Sequence, residues 1–188
     1  MVKNITVLLF LIVLLIIPKT ISASSIAGQS ATLQVAEEAK ELRIDMYVER
    51  TVQRAVIREL LASYNSPLAD ETDAFMSACI SYDIDCYLLP SIAGLESSFG
   101  KFTHPESQNP FGWGGGLIMF DSWSEGFDTV AKGLKNNYIG RGAETIEEMG
   151  PIYAASPTWA VRVRSIHSKF VRLEEDKKVM YSRLAQNL

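Results

Sequence analysis

Glu96 is the acid whose setting needs an explanation. It closes the string Leu88-Leu89-Pro90-Ser91-Ile92-Ala93-Gly94-Leu95-Glu96, and Ser97-Ser98-Phe99-Gly100 follows. At about 100° per residue, Leu88, Leu89, Ile92, Leu95 and Phe99 share one apolar arc, and Glu96 falls inside it. On a buried face the anionic form of a carboxyl group is disfavoured, so the group holds its proton toward neutral pH, as a general acid must. An ion-paired or snorkelling glutamate at a helix end accounts for the same position without catalysis. Downstream, Ser107-Gln108-Asn109-Pro110-Phe111-Gly112-Trp113-Gly114-Gly115-Gly116 sets two aromatics among glycines. Bare backbone and flat rings approach a ligand closely, which suits a sugar with apolar C–H faces and many hydroxyls. The plainer alternative is a plug, one of the two aromatics folding the loop onto the core.

Other chemistries find less support. His104 and His167 are the only histidines, too few for a three-His zinc site, and no HExxH, CxxC or GxxxxGK[ST] string occurs. The net charge of −4 argues against a nucleic-acid surface built on excess positive charge. Cys79 and Cys86 are spaced for a short disulfide loop, or they are two small buried thiols; spacing alone does not choose. His104 reads as a solvated loop residue, and His167 lies on the basic side of the last helix with Arg162, Arg164 and Lys169. Trp123 and Trp159 each open an amphipathic helix and read as core, while Tyr138 fits either core or cleft.

The elements that must position these residues are helical. No repeat occurs at solenoid spacing, and 188 residues with 10% aromatic content suffice for one packed domain plus an extension. Residues 1–23 read as a secretory signal peptide: Lys3, an apolar run from Ile5 to Ile17 broken only by Thr6, then Pro18 and the small residues Ser22 and Ala23. An uncleaved anchor is the alternative, though the run is shorter than the roughly 20 residues of a spanning helix. In residues 24–66, a Ser, Ala and Gly rich tether to about Gln34 precedes an amphipathic helix from Val35 to Tyr64 without a strict heptad. Asn65-Ser66-Pro67 breaks that helix, and a main domain spans residues 67–173.

Within the domain, helices are expected from Asp70 or Thr72 to Ser81, from Tyr87 to Ser98, and from the capping string Ser122-Trp123-Ser124-Glu125 to near Gly140. Two more follow, from Thr145 to Tyr153 and from Ser156-Pro157 into a charged tail at residues 174–188. Between Gly100 and Asp121 lies a Gly, Pro and Asn rich loop, and loops that long in compact domains are usually functional.

Glu96-Ser97-Ser98-Phe99-Gly100, Asn109-Pro110-Phe111-Gly112-Trp113, Phe120-Asp121-Ser122-Trp123 and Tyr153 before Trp159 occur in order over roughly Phe75 to Phe170. This set resembles the glucosaminidase family of peptidoglycan hydrolases, the mannosyl-glycoprotein endo-β-N-acetylglucosaminidase-like domain. The resemblance implies a mainly α, lysozyme-like fold and hydrolysis of β-1,4 bonds after N-acetylglucosamine in cell-wall glycan. It implies Glu96 as general acid, Tyr153 as a hydroxyl across the cleft, and Ser97, Asn109, Phe111, Gly112 and Trp113 as substrate-binding residues. A second carboxylate is not identified: Asp121, Glu125 and Asp128 are candidates, Asp121 favoured because it ends the loop, Glu125 better explained by capping. The substrate's own N-acetyl group can replace a protein nucleophile.

The expected partner is therefore a peptidoglycan glycan strand, with no nucleic acid, no metal and no cofactor, and with membrane contact only through the N-terminal segment if it stays uncleaved. Lytic transglycosylases share the Glu-Ser pair, but the Gly-Leu-Met-Gln and Ala-Tyr-Asn-Ala-Gly strings are missing here. The remaining rivals are a cysteine peptidase or amidase using Cys79 or Cys86 with His104, and a catalytically silent wall-binding module.

Overall fold

A computed structural model describes residues 23–186 and is mainly helical. The expected signal segment lies outside the described residues, apart from Ala23 at its end. Helix α1 is Ala23–Ser63, so the stretch expected as a tether is helical. Ala and Gln there carry good helix propensity, and propagation from the amphipathic segment costs less than a new nucleus. The chain divides into two units, 1–46 and 47–188. In the first, residues 34–46 are exposed, and Lys40 pairs with Glu37 at 3.0 Å. The division falls inside α1 rather than at residue 67, because Val52, Val56, Ile57 and Leu61 are buried in the core of the second unit. Among the described residues, no helix is long and apolar enough to cross a membrane.

The second unit is built from short helices whose ends the sequence marks. Ser66 caps a 3-10 turn, Pro67–Glu71, accepting from the Leu68 N–H at 3.0 Å, and donates its hydroxyl to Phe99 O at 2.8 Å. Helix α2 is Thr72–Tyr82 and α3 is Leu88–Ser97. Helix α4, Trp123–Asn137, opens on Ser122, whose hydroxyl accepts from the Glu125 N–H at 3.1 Å. A second 3-10 turn, Ile139–Arg141, leads to α5, Ile146–Tyr153, which has a reciprocal capping box between Thr145 and Glu148. Helix α6, Trp159–Ala185, starts two residues after Pro157 and continues through the charged tail.

Helix α2 packs on α4, and α6 packs on α3 and α5. Phe75 of α2 stacks on Phe127 of α4 with ring centroids 3.9 Å apart, and Phe111 meets Phe127 edge-on at 5.7 Å. A disulfide joins Cys79 on α2 to Cys86 just before α3, with an S–S distance of 1.96 Å. This resolves the alternative that spacing left open, and it leaves neither thiol free to act as a nucleophile.

Candidate active site

Helix α3 carries Glu96 in its last turn, and the chain leaves through three successive positive-φ residues, Ser98, Phe99 and Gly100. The arc reasoning fails at one point. Leu89 and Ile92 are buried, but Glu96 is exposed. Residues 88–93 are buried, Gly94 and Leu95 are half-buried and Glu96 is open, while Phe99 beyond the helix is buried again, so cover is interrupted at Glu96 and its carboxylate reaches a cleft instead of the interior. Trp159 donates its indole N–H to Glu96 Oε1 at 2.7 Å. The same ring stacks on Tyr153 at 4.6 Å, with an interplanar angle of 23°. Tyr153 in turn donates its hydroxyl to Phe111 O at 2.9 Å. Burial first, then the charge of Glu96 and the neighbouring Tyr138, push the Tyr153 hydroxyl well above the usual phenol range. It therefore stays protonated and serves as a donor, not a base.

The glycine-rich segment forms the facing wall. Gly112 has φ +62°, and a Cβ built there would lie 3.7 Å from Glu96 Oε2, so bare backbone sits against the open oxygen of the acid. Gly112, Trp113, Gly114, Gly115, Tyr138 and Tyr153 enclose a cleft of about 270 Å³. The Trp113 ring packs against Gly133, where an added Cβ would come within 2.5 Å of it, and its centroid is 6.2 Å from Tyr138 and 5.9 Å from Tyr153.

Three residues assigned to substrate hold the loop instead. Phe111 is the plug of the two aromatics, fully buried against Phe127. The Ser97 hydroxyl is buried and saturated, accepting from the Gly100 N–H at 2.8 Å, with Pro110 O at 2.8 Å and Ala93 O at 3.0 Å as acceptors. The Asn109 amide staples both feet of the glycine turn. It donates to Trp113 O at 2.9 Å and Ile118 O at 3.1 Å and accepts from the Trp113 N–H at 3.0 Å. Buried polar groups with full sets of protein partners have nothing left to offer a ligand.

None of the three candidate carboxylates joins Glu96. Asp121 is exposed and held through its backbone, its N–H donating to Glu125 Oε2 at 2.7 Å and its carbonyl accepting from Gln108 at 3.2 Å. Glu125 is thus engaged at the start of α4, and Asp128 accepts from Tyr82 at 2.8 Å. His104 lies in the loop against Pro105 O, and His167 pairs with Asp85 at 2.9 Å. Among the described residues, no group of three His, Cys, Asp or Glu is placed to hold a metal ion.

Sequence reasoning missed the role of Trp159, which is both core and donor to the acid. A buried indole N–H needs an acceptor, and that requirement was the available signal. Compared with known protein families, the chain matches no family model, and no curated protein matches it.

Proposed function

We propose that this chain is an exported peptidoglycan hydrolase, an endo-β-N-acetylglucosaminidase on a lysozyme-like helical scaffold, with Glu96 as general acid. The observation that carries this reading is an exposed carboxylate beside an aromatic-walled cleft, one oxygen held by an indole N–H and the other facing bare backbone. The resemblance of the ordered motifs to the glucosaminidase family supports it, and the Cys79–Cys86 bridge supports export to an oxidising compartment.

Glu96 protonates the glycosidic oxygen as the C1–O bond breaks. The carbonyl oxygen of the 2-acetamido group attacks C1 in place of a protein nucleophile. Water then adds to C1 of the resulting oxazolinium, opening it to the reducing sugar, and Glu96 takes back a proton. Trp113 and Tyr138 supply faces for sugar C–H groups, and Tyr153 backs the cleft with its ring, its hydroxyl proton being committed to Phe111 O.

The test is digestion of purified peptidoglycan by the full-length protein beside Glu96→Gln, with product ends identified by mass spectrometry. Reducing N-acetylglucosamine ends from wild type and none from the variant are expected. Anhydro-muramic ends would make the protein a transglycosylase, and binding without release would make it a wall-binding module. N-deacetylated glycan should resist cleavage; equal cleavage would exclude the acetamido route.

A further inference from the structure

The two oxygens of Glu96 have unlike surroundings. Oε1 receives the Trp159 indole N–H at 2.7 Å, and an indole nitrogen donates but never accepts. A proton on Glu96 therefore sits on Oε2, the oxygen that faces Gly112. The donor is held firmly in place. Trp159 is 3% exposed, stacked on Tyr153, and backed by Gly150, where an added Cβ would lie 3.7 Å from its ring. Tyr153 is tied to the loop through Phe111 O, so one chain of contacts runs from the cleft wall to the acid.

We infer that Trp159 is a positioning residue for the acid: it reserves Oε1 as acceptor and makes Oε2 the proton-delivering oxygen, so the glycosidic oxygen must approach from the Gly112 side. This deepens the hydrolase reading and rests on it. In the step, the Oε2–H bond breaks, the proton passes to the glycosidic oxygen, and the electron pair left on the carboxylate spreads over both oxygens. The N–H to Oε1 bond strengthens as that charge develops, so the donor contributes more in the transition state than in the ground state.

Trp159→Phe in the full-length protein is expected to lower kcat about 100-fold with little change in KM. The loss falls on kcat because the N–H to Oε1 bond contributes most once the carboxylate charge has developed. Because Phe fills less space, a second variant replaces Trp159 by benzothienylalanine, which keeps the fused ring and lacks the N–H; it should show the same loss of kcat at little-changed KM. Full kcat in the benzothienylalanine variant would overturn the assignment, because that ring keeps the packing and lacks only the donor. A readout without turnover separates the two readings. In wild type the Trp159 indole N–H proton resonance should lie downfield, as for a donor to a carboxylate, and it should move upfield in Glu96→Gln, where the acceptor is neutral. If glycan is not cleaved but the indole resonance moves in Glu96→Gln, the hydrolase reading fails and the hydrogen bond stands. If glycan is cleaved and the indole does not respond, the positioning role fails alone.

Discussion

Gly112→Ala separates the chemistry of the cleft wall from its folding. The residue has φ +62°, and the added methyl would lie 3.7 Å from Glu96 Oε2, ordinary contact with no clash. The left-handed backbone costs an L-residue about 1–2 kcal/mol, which lowers Tm by roughly 3–8 °C for a unit of this size. The catalytic cost is larger. A glycosidic oxygen must come within about 2.6–3.2 Å of the acid, and a methyl at that oxygen holds the sugar back. A displacement of about 1 Å costs on the order of 100-fold in kcat. Gly142→Ala is the control, because φ there is +93° and nothing lies within 4 Å of the added Cβ. Thermal unfolding followed by circular dichroism should show both variants destabilised. Reducing-end release well below either Tm should show kcat lost in Gly112→Ala and retained in Gly142→Ala. Equal losses in the two, or a fully active Gly112→Ala, would refute the placement of the reacting oxygen beside Gly112.

Replacing Cys79 and Cys86 by Ala removes a bridge with a sequence separation of 7, worth roughly 2–3 kcal/mol of loop entropy. Tm should fall by roughly 5–10 °C, and reductant added to wild type should reproduce the fall; an unresponsive wild type would count against the bridge. Phe111→Ala should cost about 3–5 kcal/mol in denaturant unfolding, since the ring is fully buried. Trp113→Ala should cost less stability than Phe111→Ala, since the ring is only half-buried, and raise KM roughly 3–10-fold, and the reverse order would exchange plug and wall. Burial pushes the Asp85 carboxyl up, but the hydrogen bond and charge of His167 and the Tyr87 N–H outweigh it and hold the group below the usual range. Its contribution is therefore present above the ordinary aspartate value near pH ~3.9 and lost as pH falls through the lowered one. Asp85→Asn should lower Tm at pH 7, with the gap to wild type closing in acid; a gap independent of pH would deny the pair its role.

The helices were legible because their signals are local. Ser122, Thr145 and the Asn65-Ser66-Pro67 break act within one turn of chain, and α4, α5 and the end of α1 follow from them. The 24–34 stretch was misread because small residues serve a tether and a helix equally well, and the helix that follows decides between them. Periodicity placed Glu96 on the right arc and gave it the wrong exposure, since the angle around a helix axis does not say where along the arc the cover is interrupted. Ser97, Asn109 and Phe111 show a related limit: the residue types that bind a sugar also hold a loop, and only the partners tell them apart.

Trp159 carries that argument furthest. Its place at the start of an amphipathic helix marks it as core, and at 3% exposure it is core. Yet its one polar atom still had to be satisfied, and the acceptor lies 63 positions away in the chain, at the only acid on the α3 arc. The core and the candidate site are therefore not separate sets of residues. A packed ring gives the hydrogen bond a fixed direction that an exposed side chain would lose to rotamer entropy, so burying the donor is what makes it useful to the acid.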